Sequence, residues 1–251
     1  MSSRWLTRTC LAFGVLGAGN AHAETAPIAP DETPVMRQER ERGFLFFPSV
    51  RSFHAFRFGV GAFYDAIDPA IMSGYVVRVP QLTVDARYGL KDGWSLSGHL
   101  NSMLVTTELL AGLSHTWRIN RWTLEAAGSV GIYAGTLHNL TFDALLLSPE
   151  YRPELAAGYD FGSIAVSLRA SVILMGPISV DVGGVTGGLD GASVFTGHSE
   201  MLYVENTTSG SGVWYFGAGA LTTRSYYAMW ALFPDSPALY TYPRVAAGYA
   251  F

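Results

Sequence analysis

From residue 51 onward, apolar and small or polar residues alternate with a period of two, the signature of strands with two unlike faces. Between 121 and 134, Trp122, Leu124, Ala126, Gly128, Val130 and Ile132 share one face, against Thr123, Glu125, Ala127, Ser129, Gly131 and Tyr133 on the other. Between 163 and 175 the apolar face holds Ile164, Val166, Leu168, Ala170, Val172 and Leu174, opposed by Ala165, Ser167, Arg169 and Ser171. Near 79–90, Leu82, Val84, Ala86, Tyr88 and Leu90 oppose Gln81, Thr83, Asp85 and Arg87. Near 53–64, Phe56, Phe58, Val60, Ala62 and Tyr64 oppose Arg57, Gly59 and Gly61. A soluble sandwich would fill its polar face with Lys and Glu. Here that face is Gly, Ala, Ser and a few ionic residues.

Short turns separate some of these runs. Lys91, Asp92 and Gly93 form a three-residue turn with Gly at the left-handed position, and Asn120-Arg121 and Gly162-Ser163 form two-residue turns. These turns pair Leu90 with Trp94, Ile119 with Trp122, and Phe161 with Ile164, always apolar face to apolar face. A slip of one residue would break every match. Longer connections are expected at 65–75, 135–150, 176–197 and 225–240. The resulting strands are 53–64, 75–90, 94–104, 108–119, 121–134, 151–161, 163–175, 199–206, 212–224 and 241–251. That makes ten, with eight or twelve as the alternatives left by the stretch 176–212.

Composition turns this pattern into an architecture. Of the 251 residues, 49% are hydrophobic and only 14% charged, against about 25% charged in a soluble domain. No run in the body of the chain reaches the roughly 18 apolar residues that a spanning helix needs. A hydrophobic chain without hydrophobic helices is expected to close its strands into a barrel, because lipid leaves no backbone group unpaired. The expected fold is therefore all-β, a transmembrane antiparallel up-and-down barrel over 51–251, with the apolar set facing lipid. Short turns at one end and long loops at the other fit that arrangement.

Arg4 and Arg8, the apolar core that begins at Cys10, and Ala21-His22-Ala23 predict a signal peptide over 1–23. Cys10 is the only cysteine and leaves with it, so thiol catalysis and cysteine-zinc sites are excluded. Residues 24–50 read as a flexible periplasmic lead, with Pro27, Pro30 and Pro34 and a charge run over 37–42. Within that lead, Phe44, Leu45, Phe46 and Phe47 are expected to touch either the membrane interface or the barrel mouth.

Outward aromatics gather beside the short turns: Tyr88, Trp94, Trp117, Trp122, Tyr159, Phe161, Tyr249 and Phe251. Tyr and Trp favour a membrane–water boundary, so this set predicts a girdle at the periplasmic rim. The last strand ends in Phe251, with Val245, Ala247 and Tyr249 alternating before it. It resembles the C-terminal assembly signal of bacterial outer-membrane β-barrel proteins. That resemblance implies insertion by the barrel-assembly machinery into the outer membrane of a Gram-negative cell, in contact with lipid and lipopolysaccharide.

The lumen-facing set yields Arg57, Asp85, Arg87, His99, Arg118, Glu125, Glu154, Asp160, Arg169 and Arg244. Lys91 is the only lysine, and Arg suits partly desolvated carboxylate pairs through its planar fork. Register places Asp85 opposite His99, and Arg169 diagonal to Glu154. This set reads as an ionic network filling a narrow barrel, with a charged path for a ligand as the alternative. No catalytic set is expected: in His198-Ser199-Glu200 neighbouring side chains point to opposite faces, and parity parts Ser114 from His115. His138 is placed in a loop without companion ligands, so no metal is expected, nor any cofactor. The loop 183–188 lacks the Lys of a phosphate loop and reads as a flexible extracellular loop. A net charge of −4 points to no nucleic acid. The sequence thus predicts a monomeric, mostly sealed outer-membrane barrel acting structurally or through its extracellular loops. A narrow channel for small or hydrophobic solutes is the alternative, and a lipid-modifying enzyme the third reading.

Overall fold

A computed structural model describes residues 43–51, 53–66, 80–103, 106–139, 142–182, 185–189, 194–207, 212–224 and 239–251. The predicted signal peptide, the lead up to residue 42 and the connections 67–79 and 225–238 lie outside them. The strands are β1 (Phe56–Asp65), β2 (Pro80–Gly89), β3 (Trp94–Ser102), β4 (Thr106–Ile119), β5 (Trp122–Asn139) and β6 (Phe142–Asp160). They continue as β7 (Ile164–Met175), β8 (Ile178–Val182), β9 (Val185–Leu189), β10 (Val194–Asn206), β11 (Val213–Arg224) and β12 (Leu239–Ala250).

All pairings are antiparallel, and ten of these strands close a ring. Each of β1 to β6 pairs with the next, β7 pairs with β10, β10 to β12 follow in order, and β12 returns to β1. Closure leaves the ring without an edge strand. The predicted short turns form as expected: the Leu90 amide donates to the Trp94 carbonyl at 2.8 Å, and the Phe161 amide to the Ile164 carbonyl at 2.9 Å. Asp92, Gly93, Asn120 and Gly162 supply the positive φ angles of 58°, 79°, 59° and 109° that these turns demand.

Parity holds around the ring. Leu82, Leu109, Ile119, Trp122, Leu155, Leu168 and Phe216 are exposed on the outside, while Thr83, Ser114, Thr123, Glu125, Ser167 and Arg169 are buried within. The outside is the apolar face and the inside the polar one, the reverse of a water-soluble barrel. At Thr196 a bulge shifts the β7–β10 register by one residue, which re-phases the two halves of β10.

Three sequence expectations are corrected. Stretch 135–150 is not a loop: β5 and β6 stay paired up to Asn139 opposite Phe142, so His138 lies in a strand. Leu145 and Leu147 are exposed and Leu146 is buried, an alternation that three identical side chains cannot display in sequence. Within 176–197 the described residues likewise form strands. β8 pairs with Ala144 to Leu147 of β6, and β9 pairs with β8, so the glycine-rich stretch after Val185 is a strand rather than a loop. Its ladder hydrogen bonds use only backbone atoms, which glycine supplies as well as any residue. Finally, the lead does not remain free up to Val50. Residues 43–51 enter the lumen, with Leu45 at 0% and Phe47 at 1% exposure.

Candidate functional site

The middle of the lumen is an ion-paired layer assembled across the ring. Inward parity on β5 places Glu125 at the centre, where Arg87 of β2 meets it at 2.8 Å and Arg169 of β7 at 2.7 Å. The Thr116 hydroxyl of β4 donates to the same carboxylate at 3.2 Å. Arg169 also pairs with Glu154 of β6, along the diagonal that the register predicts: Glu154 faces Ser171 and Ala156 faces Arg169. Two guanidiniums so close together would repel unless a carboxylate stood between them. Glu125 occupies that position.

Nearer the long-loop end lie two further groups. Asp85 and His99 are register partners, and His99 Nδ1 meets Asp85 Oδ1 at 2.7 Å while its Nε2 lies 3.4 Å from Glu108 Oε1. Arg152 bridges Glu108 at 2.8 Å and Glu150 at 2.5 Å. Arg244 grips Asp65 with two hydrogen bonds of 2.6 and 2.7 Å and lies over the Phe63 ring at 5.0 Å. Gln81 adds a hydrogen bond to Asp65 and accepts one from Asn101.

The short-turn end is filled by the chain's own N-terminal segment. Glu205 of β10 accepts the backbone amides of Leu45 at 2.7 Å, Phe46 at 3.1 Å, and Phe47. Arg51 returns hydrogen bonds to the Phe44 and Leu45 carbonyls at 3.0 and 3.2 Å, and Arg169 donates to the Phe46 carbonyl. Burial, reinforced by Arg87, pulls the Arg51 guanidinium down to about 9 against the attraction of Glu125 and Glu205, so it stays charged at neutral pH. Phe46 stacks on Tyr203 at 4.3 Å and meets Tyr215 edge-on at 4.8 Å.

Inward glycines make the room. A Cβ on Gly59 would lie 2.5 Å from Leu45, and one on Gly158 would lie 2.6 Å from Phe47. The segment is therefore a fitted plug. Fully burying each large apolar side chain stabilises it by roughly 1.5–3 kcal/mol, which offsets the cost of ordering the backbone, roughly 1–2 kcal/mol per residue.

Of the ten lumen residues expected from sequence, Asp85, Arg87, His99, Glu125, Glu154, Arg169 and Arg244 take part in these networks. The other three lie at the short-turn end and bond to nearby backbone. Arg57 donates to the Phe56 carbonyl, Arg118 to the Asn120 carbonyl, and Asp160 accepts the Gly162 amide. The sequence reading missed Arg51, Asp65, Glu108, Glu150, Arg152 and Glu205. Parity could have found most of them: Glu108 shares a face with Arg118, and Glu150 and Arg152 share one with Glu154. Nothing in the sequence announces that Arg51 and Glu205 hold the same segment.

The predicted aromatics line the outside of the short-turn end in ring contacts. Trp94 and Trp117 flank His115, Trp122 meets Tyr159, Tyr159 meets Phe161, and Tyr249 meets Phe251. Tyr88 pairs with His54. Trp214, absent from the predicted set, contacts Tyr249. On β10, Ser199 faces inward and is buried, whereas His198 and Glu200, two residues apart on the outer face, bond to each other.

Above the plug a chamber remains, with an empty volume of about 1250 Å³ counted out to solvent. Leu45 and Phe46 form its floor, and its wall includes both the ionic groups and Phe63, Leu110, Tyr133 and Leu221. Among the described residues no cluster of metal-ligating side chains occurs. Sequence comparisons match no family model and no curated protein. The case for function therefore rests on the geometry of the lumen.

Proposed function

We propose that this chain is a monomeric bacterial outer-membrane barrel, sealed at its periplasmic end by its own N-terminal segment, that acts through its extracellular end. Support for the membrane reading comes from the outer wall, which presents large apolar side chains on every stave where soluble proteins keep such patches small. The aromatic contacts at the short-turn end suit a lipid–water boundary. Removal of residues 1–23 and insertion by the barrel-assembly machinery belong to the same proposal. Catalysis and a cofactor do not.

The observation that carries the sealed reading is the plug. Three amides of residues 45–47 converge on the buried Glu205 carboxylate while their side chains fill the short-turn half of the lumen. The ion-paired layer around Glu125 lies directly above. Balanced charge and direct contact leave that layer little reason to hold a water column. The chamber favours a second reading, a narrow channel that opens when the plug leaves.

Leakage separates the two. Vesicles loaded with a small dye and carrying the folded protein should retain the dye as long as empty vesicles do. Rapid release from the unmodified protein would overturn the seal and favour the channel.

A further inference from the structure

The chamber has more acceptors than its own donors use. Asp85 Oδ2 and Asn101 Oδ1 are buried and accept no hydrogen bond, and buried Glu108 Oε1 has only the 3.4 Å approach of His99 Nε2. They belong to three adjacent staves, with Asp85 opposite His99 and Asn101 opposite Glu108, so they surround the His99 ring and line one wall of the chamber. The guanidiniums of that chamber are already held by carboxylates: Arg87 and Arg169 on Glu125, Arg152 on Glu108 and Glu150, and Arg244 on Asp65. Among the described residues that form these networks, seven carboxylates (65, 85, 108, 125, 150, 154 and 205) meet five guanidiniums (51, 87, 152, 169 and 244) and the His99 ring. A buried acceptor left unmade is costly, and a charged donor satisfies it best.

We propose that the chamber binds small organic cations that carry N–H donors on an apolar body. The ammonium is received by Asn101 and Glu108, register partners on β3 and β4, with Asp85 adding negative charge from the other side of the His99 ring, and the body lies against Phe63, Leu110 and Tyr133. Because the plug fills the other end, the cation enters and leaves by the long-loop end; the inference rests on the sealed reading in that respect alone. The geometry also sets a selectivity. A primary ammonium can donate to several of these oxygens, a trimethylated ammonium of the same charge can donate to none, and a carboxylate meets like charge.

The test uses the full folded chain in non-ionic detergent, titrated calorimetrically with 2-phenylethylammonium, its N-trimethyl analogue and 3-phenylpropionate. Saturable one-site binding of the primary ammonium is expected, at least tenfold tighter than either comparator. Glu108→Gln should abolish it, but that variant also loosens Arg152. Asn101→Leu is therefore measured as well: it removes an acceptor without removing an ion-pair partner, releases the Gln81 carbonyl at a modest cost in thermal stability, and should weaken binding about tenfold with the barrel still folded. Absence of saturable binding to the folded chain, equal affinity for the trimethyl analogue, or full affinity in Asn101→Leu would each overturn the proposal. Dye leakage is read separately: a leaking barrel that binds selectively keeps this site and loses the seal, and a tight barrel that binds nothing keeps the seal and loses the site.

Discussion

Glu205 accepts the Leu45 amide at 2.7 Å across 160 residues of sequence. That bond ties the segment 43–51 to β10, and the same carboxylate takes the next two amides as well. Glu205→Gln keeps the shape but loses the charge and one acceptor oxygen. It should weaken plug docking by about 1–3 kcal/mol, and hydrogen exchange of the amides at 45–47 should accelerate while exchange in the staves does not. Unaltered exchange at these three amides would mean that Glu205 is not their anchor.

Glu125 separates Arg87 and Arg169. Glu125→Ala leaves two buried guanidiniums facing each other, with a cost of about 3–5 kcal/mol. Thermal unfolding in micelles should therefore begin at clearly lower temperature. Replacing Arg87 as well, by Met, should recover part of the loss, since one of the uncompensated charges is then gone. Thermal curves that match the unmodified protein for Glu125→Ala would count against the layer as a structural element.

Gly158 has no side chain because Phe47 occupies the space. Gly158→Leu should expel Phe47 from its seat, expose 43–51 to added protease and leave the barrel folded. Persistent protection of the segment would show that the seat is wider than the contact implies.

Trp94, Trp117, Trp122 and Trp214 all lie on the outer face. In vesicles of brominated lipid, the fluorescence of the folded protein should be strongly quenched, most by bromines placed near the headgroup. Quenching by aqueous iodide alone would contradict a lipid-embedded wall.

Parity and turn chemistry made most of the barrel legible. The match of Ile119 with Trp122 across Asn120 needs nothing beyond the local chain, and closure follows from apolar faces that have no other shelter. Asp85 with His99, and Arg169 with Glu154, were readable because register carries inward residues into fixed neighbourhoods. Residues 145–147 were not, since Leu-Leu-Leu has no alternation to reveal a strand. The plug was least legible of all. Phe44 to Phe47 is visibly apolar, but its destination is set by Glu205, Gly59 and Gly158, which lie far away in sequence and become a receptacle only once the ring has closed.

Single-channel conductance in a planar bilayer tests the central claim most directly, comparing the full chain with a variant lacking 43–51, each confirmed as folded by its heat-modifiable mobility. The plugged barrel should be electrically silent and the shortened one should show discrete steps. Reproducible steps from the full chain, of the same size as those of the variant, would contradict the seal.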